Sequence, residues 1–357
     1  MFIATNQPVK AFNVLLHLPH AIAVSLLPLL ITIVCEQRLL TSLLLPLDTH
    51  TLQVDLDHAL IASCHAHHWS SPIFMDVFTY FHANHTGHLS LLPLYIRVRK
   101  LLAEDPISSR EKQSNLQQQI QTLALLLSLL QGLPKEERWI MEDGLKMVNE
   151  EDVERALLRT QGQLALLMND DDDDDEMDEE MDEIAMMEER QERQGEQGEK
   201  DDLTIQDQHL IAKLIKQQSY HLALQLSQAI SMPSNQVAAL FAAKFRILHK
   251  SIHPNNSSNL SISLHMCEQA CIDLFLMDST GLSLCGFIHA LLTTDVEYAI
   301  PAVVHEGFDQ LCKQGKSVVD PVIQVLLQFG RIEDSLAFVC NINDQVIIII
   351  INFYNYH

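Results

Sequence analysis

Histidines crowd one stretch of this chain: His58, His65, His67, His68, His82, His85 and His88, with Cys64 among them. Imidazole and thiolate are the usual zinc ligands, and "CHAHHW" and "FHANHTGH" supply seven candidates: Cys64, His65, His67, His68, His82, His85 and His88. Their spacing matches no recognised zinc site, and structural or surface histidines are the plainer reading, so the expectation is no metal and no cofactor. In "HMCEQAC", residues 265–271, His265, Cys267 and Cys271 lie close in sequence, and a helix would put the two thiols on one face. Core packing accounts for them better than redox or metal chemistry.

Three further stretches imitate catalytic motifs and fail at a defining position. "KQGKS" at 313–317 ends like a phosphate-binding loop, but Gln310 stands where the motif needs glycine. "GLSLCG" at 281–286 resembles a nucleophile elbow, except that Cys285 replaces its last glycine and no strand precedes it. "HEGFD" at 305–309 lacks the second histidine of a zinc protease. The sequence therefore supports no catalytic residues, and the chain is expected not to be an enzyme.

The acidic run "MNDDDDDDEMDEEMDE" at 168–183 is the remaining candidate. A calcium loop needs spaced acids, glycine at its sixth position and glutamate at its twelfth. Begun at Asp170 or at Asp171, the run offers neither. With no apolar face to bury, 169–202 reads as a disordered linker, and a basic partner is its most plausible ligand. That segment holds 19 acidic and 3 basic residues, so it carries −16 of the chain's net −24. No basic stripe occurs elsewhere, which argues against nucleic acid as a partner.

The elements around these residues read as helical. Of 357 residues, 47% are hydrophobic and only 11 are glycine, the first at Gly87. Seven scattered cysteines (35, 64, 267, 271, 285, 312 and 340) suit buried free thiols better than a disulfide framework. Residues 12–47 read as two helices broken near Pro28 or Glu36, followed by helices at 52–63, 71–83, 89–103, 108–131, 135–147 and 150–168. After the acidic segment the pattern resumes at Leu203. Pieces of mostly 10–18 residues separated by short turns then run to residue 340, the spacing of stacked helical hairpins. The expectation is an all-α protein, an α-solenoid in two halves. The divisions are an N-terminal helical domain at 1–168, an acidic linker at 169–202, a C-terminal helical domain at 203–340 and an apolar tail at 341–357. The tail's "VIIIIINFYNYH" reads as a strand or an adhesive end. Residues 12–35 carry no charge and are long enough to span a bilayer, which leaves a membrane anchor as an alternative to a buried helix pair.

"KQQSYHLAL" at 216–224 and "FGRIEDSLA" at 329–337 share a helix end, a polar turn and a helix with a small residue next to leucine. Two family likenesses grow from these regions. Residues 278–339, carried by "HALLTTDVEYAIPA" and "VIQVLLQFGRIEDSLAFV", resemble the C-terminal helical domain of the regulator subunit of the Mon–Ccz Rab exchange complex. "LIKQQSYHLALQLSQAISMP" at 214–233 is similar to a helical hairpin of class C vacuolar-sorting subunits. Both families are trafficking scaffolds with an N-terminal β-propeller and a C-terminal α-solenoid. The likeness implies a subunit of a multi-subunit tethering or exchange complex at late endosomes, lysosomes or autophagosomes, peripheral to the membrane. Partner contacts are then expected near the hairpin turns, for example at Tyr220, Phe308 and Arg331. A nuclear or nucleolar assembly factor that holds a basic partner on its acidic tract is the alternative from outside trafficking.

Overall fold

The computed structural model describes residues 8–40, 52–84, 87–104, 106, 108–142, 146–168, 201–251, 257–278 and 280–340. The expected linker, apart from its last two residues at the head of a helix, and the expected apolar tail lie outside them. Fifteen α-helices and one small hairpin make up the described residues, so the chain is all-α in class. It divides into two compact units, Met1–Leu164 and Ala165–His357.

The first unit begins with α1 (Pro8–Leu16) and α2 (His20–Glu36). Of the two breaks expected, near Pro28 or Glu36, the second coincides with the end of α2 at Glu36, and a further break falls at Leu18 and Pro19. Proline disfavours helical backbone in the residue before it, and Leu18 accordingly lies outside both helices. Pro28 sits inside α2 on its exposed side, where water can serve the carbonyl its missing N–H leaves free. α3 (Gln53–Ala66), α4 (Ile73–Asn84), α5 (Leu92–Leu102), α6 (Ser109–Gln131) and α7 (Glu150–Met168) follow. Ser108 caps α6, its Oγ accepting the Glu111 amide at 3.2 Å. Asn149 and Asp152 cap α7 reciprocally, each side chain accepting the other's amide, at 2.9 and 3.1 Å.

A helix expected over 135–147 is not there. A short 3₁₀ turn (Lys135–Glu137) leads into β1 (Trp139–Glu142), which pairs antiparallel with β2 (Lys146–Asn149). Ile140 faces Val148 across the pair and both are buried, while the neighbouring Met141 and Met147 pair outward. That alternation is the signature of a half-buried strand. Among the described residues of the first unit, two apolar clusters stand out. One joins α1 to α4 through Phe12, Leu27, Ile31, Leu56, Leu60, Phe74 and Phe81. The other joins α5, α6, the hairpin and α7 through Leu94, Leu126, Leu130, Ile140 and Val153.

The second unit holds α8 (Asp201–Lys216), α9 (Tyr220–Ala229), α10 (Ser234–Ser251), α11 (Ser257–Met277), α12 (Leu282–Thr294), α13 (Ala302–Lys313), α14 (Val319–Gln328) and α15 (Ile332–Cys340). Most helices pack against an immediate neighbour and also against the next but one. α8 meets α10, α10 meets α12 and α12 meets α14; α9 meets α11 and α11 meets α13. The largest contact, α10 on α12, is possible because Gly286 lets the backbones close: a Cβ there would come within 2.8 Å of the Asn235 Cα. Phenylalanines fill the interior. Phe287 meets Phe275 and Phe245 edge to face at 5.4 and 5.9 Å between ring centres, and Phe308 meets Phe338 at 4.8 Å.

One backbone device closes four of these helices. After α8, α9, α13 and α14 the chain turns through a left-handed residue, respectively Gln218, Ser231, Gly315 and Gly330. The amide one residue further on reaches back five positions: Ser219 to Leu214, Met232 to Ser227, Lys316 to Leu311 and Arg331 to Leu326, at 2.8–3.1 Å. This is the Schellman closure, which satisfies carbonyls that a helix end leaves open. The two likened segments, 216–224 and 329–337, both contain it, and the small residues Ala223 and Ser335 are buried at the same offset from the turn.

Candidate functional site

The histidine-rich stretch places its side chains apart from one another. Cys64 is buried in the first unit's core, and burial pushes its thiol up to about 12. His65 is exposed at the end of α3. The His67 ring turns back onto the Ser63 carbonyl, with Nδ1 2.7 Å away. His82 stacks on Phe78 one turn earlier, 5.5 Å between centres. His85 lies outside the described residues, and His88 is described only in its backbone. Among the described residues no three His, Cys, Asp or Glu side chains come together as a metal ion would need.

His68 makes the contacts of chemical interest. Its Nδ1 is 2.8 Å from Ser70 Oγ and its Nε2 is 2.9 Å from Glu104 Oε1. Glu104 also accepts the Trp69 indole N–H, and Lys100 donates to the His65 and His67 carbonyls. Hydroxyl, imidazole and carboxylate in series is the order of a nucleophile relay. Two features decide against that chemistry. The His68 side chain is 59% exposed, so water competes at every step. The three amides nearest the Ser70 hydroxyl on its C-terminal side are also engaged, so none of them serves an oxyanion. The Ser70 amide is bonded to His68 Nδ1, the Ser71 amide to the His68 carbonyl and the Ile73 amide to Ser71 Oγ, while residue 72 is proline. The network is a clamp that ties the α3–α4 loop to the end of α5. Residue types marked His68 in the sequence; Glu104, 36 positions away, carried no such mark.

The motif imitations resolve into structure. Lys316, the lysine of "KQGKS", donates to the carbonyls of Leu276 and Asp278 at 2.9 and 3.2 Å, capping the C-terminal end of α11 where a cation is favoured. Ser283, in the nucleophile position of "GLSLCG", is fully buried and donates to Asp278. His305 of "HEGFD" stacks on Phe338 with 4.4 Å between centres. Cys267 and Cys271 are both fully buried. The Tyr220 ring lies 5.8 Å from Phe241, and its hydroxyl points toward Cys267 and Cys271.

Tyr220 and Phe308 therefore do not serve as exposed contact residues. Tyr220 is 4% exposed and Phe308 wholly buried, because Tyr220 at the start of α9 packs on Phe241 and Phe308 in the middle of α13 packs on Phe338. Arg331 is half-buried. It pairs with Asp334 and donates to the Val296 and Tyr298 carbonyls at 2.8 Å, which fastens the α12–α13 connection to the start of α15.

A cleft of about 240 Å³ opens beside the start of α12, lined by Ser227, Ser231, Ser234, Met277, Asp278 and Ser283 among others. Its one acid, Asp278, is already occupied. Burial alone would raise its carboxyl, but four hydrogen bonds from Thr280 and Ser283 outweigh that and hold it below the ordinary value. Among the described residues no helix is long and apolar enough to cross a membrane. The uncharged run at 12–35 is divided between α1 and α2, and one face of α2 is committed to the core.

No protein-family model and no curated protein matches the chain.

Proposed function

We propose that the chain is a helical scaffold subunit of a vesicle-tethering or Rab-exchange complex at late endosomes or lysosomes, acting through protein–protein contact. The observation that carries this reading is the packing of the second unit, in which helices from α8 to α14 meet the next but one and most also meet the next. Such packing is how stacked helical hairpins form an α-solenoid. The recurring Schellman closure supports the same reading, since it appears in both segments that bear the family likenesses. A stack of this kind offers long helix faces to other subunits and has no need of a catalytic pocket. In this reading exchange on a GTPase belongs to partner subunits, the acidic tract is a spacer, and membrane attachment runs through partners.

Affinity purification of the full chain with identification of co-eluting proteins tests it. Tethering or exchange subunits are expected. Recovery of basic nuclear proteins instead, lost when residues 170–183 are deleted, would overturn the trafficking reading in favour of a nuclear assembly factor.

A further inference from the structure

The helical stack of the second unit runs out on an apolar face. Helices from α8 to α13 each have a helix two places later to pack on, α13 reaching α15 through His305 and Phe308 on Phe338. Among the described residues no helix follows α15 to play that part. The inner side of α15, with Ser335, Phe338 and Val339, is buried in the stack. On its outer side Ile332 and Leu336 stand four residues apart, and so on one stripe, 46% and 45% exposed. Ala337 is exposed beside them, and Glu333 is the only charged residue of α15 that is exposed. A stack of helical hairpins ordinarily closes on a polar outer face, so this end is open.

The size of the face decides what can cover it. A separate protein chain needs roughly 800 Å² and about 20–30 residues on each side to hold a stable interface. α15 has 9 residues and presents two large apolar side chains, far short of that. A second copy would also bring another net charge of −24 to the contact. A segment of the same chain escapes both limits, because a short tether holds it at an effective concentration on the order of millimolar.

Residues 341–357 follow α15 directly and have the make-up this requires. Asn341, Asn343 and Asp344 stand in the five positions before Val346. Asn and Asp are residues of reversing turns, and connections of about 2–8 residues are usual between antiparallel neighbours. Val346 to Ile351 is then a run of valine and isoleucine without a charge. Coiled as a helix it would span about 9 Å, and extended about 20 Å. Ile332 and Leu336 are about 6 Å apart along α15, so either form is long enough to cover both. Asp344 is the only acidic or basic residue in 341–357, and it falls in the turn and not in the run that would lie beside Glu333. A bare isoleucine run is adhesive, so each apolar surface lacks what the other supplies. We propose that residues 346–351 fold back along the outer side of α15, over Ile332 and Leu336, and cap the open end of the stack. The cap keeps that end from accepting further chains. It rests on the packing of the second unit and not on the trafficking reading.

Photo-crosslinking in the full chain tests the proposal. Leu336 is replaced by p-benzoylphenylalanine, and a mixture of isotopically light and heavy chains is irradiated and mapped by peptide mass spectrometry. The expected adduct joins position 336 to residues 346–351 of the same chain. An adduct between light and heavy chains assigns the face to a second copy and overturns the proposal, as does an adduct to any other stretch, or none. Hydrogen exchange supplies a second reading. Deleting residues 346–357 is expected to speed amide exchange in α15 on the order of tenfold, as uncovering aliphatic side chains should, and to leave α8 to α11 unchanged. Exchange in α15 that ignores the deletion overturns the proposal. Should the deletion also loosen α8 to α11, the double variant Ile332→Ser, Leu336→Ser in the full chain takes its place. Residues 346–351 are then expected to lose protection that they have in the unaltered chain. Protection that persists in the double variant, or that the unaltered chain never shows, overturns the cap.

Discussion

The Asp278 carboxylate accepts both the amide and the hydroxyl of Ser283, at 2.7 and 2.9 Å, and so closes the start of α12 from a position five residues earlier. Its other oxygen takes the Thr280 amide and hydroxyl at 2.8 and 2.6 Å. Gly281, the residue flanking the helix, has no side chain to do this. Asp278→Ala is expected to cost about 1 kcal/mol, the usual worth of a lost helix cap, read by urea denaturation. The pH dependence has a definite sign. The folded carboxyl is held below its ordinary value, so its contribution is complete at neutral pH and is lost as pH falls through the folded value, below about 4. The stability difference between the parent chain and Asp278→Ala should shrink below that pH. A difference that stays constant down to pH 3 would show that the carboxylate's charge plays no part.

Gln218 and Ser231 hold left-handed backbone at φ 62° and 54°, in the turn position where Gly330 has φ 71°. A side chain in that conformation costs about 1–2 kcal/mol, and glycine avoids it at a smaller cost in unfolded-chain entropy. Both side chains are exposed, so little packing is lost. Gln218→Gly and Ser231→Gly should each raise stability by roughly 0.5–1 kcal/mol. Gly330→Ala, in the opposite sense, should lower it by a similar amount. Thermal unfolding of the three variants provides the check, and a lower Tm for both glycine variants would contradict the shared role of these turns.

Helix positions were legible because the apolar residues recur at helical spacing from α3 to α15, and local capping signals such as Ser108 lie within a few residues of what they cap. The hairpin was legible in principle too. Asp143 and Gly144 stand between "WIME" and "LKMVN", a turn pair between alternating stretches, but the lysines and glutamates around them imitate a polar helix. Exposure at Tyr220 and Phe308 was misjudged because proximity to a turn says nothing about which way a side chain faces. The His68 clamp was half legible. Sequence shows a histidine, whereas only the fold brings Glu104 to it from the end of α5.

The clamp reading makes its own prediction. Exposed ion pairs contribute roughly 0–1 kcal/mol, so Glu104→Gln should lower stability by no more than that. Its visible effect should be on the tryptophan emission, because Trp69 loses a charged acceptor. Ser70 should remain unlabelled by a fluorophosphonate probe, with or without His68. Stoichiometric labelling of Ser70 that disappears in His68→Ala would overturn the clamp reading and restore a nucleophile relay.

The cysteines offer a test of the packing in both units at once. Cys35, Cys64, Cys267, Cys271 and Cys285 are buried, and Cys312 is only half-buried. Thiolate, not thiol, reacts with alkylating reagents, so both access and acidity matter. Burial raises Cys35 and Cys285 to about 11 and Cys64 to about 12, and pushes Cys271 well above its ordinary value. Cys312 is also raised, by burial first and by Asp309 second, but it has an open side. Brief iodoacetamide treatment of the native chain at pH 8, followed by peptide mass spectrometry, should therefore modify Cys312 ahead of these five. Because the raised values favour the protonated form, increasing the pH from 7 to 9 should speed reaction at Cys312 throughout that range. The other five should respond only once denaturant opens the core. Early modification of Cys267 or Cys271 would mean that α11 does not sit against α9 and α13 as described, and the stacked arrangement of the second unit would have to be redrawn.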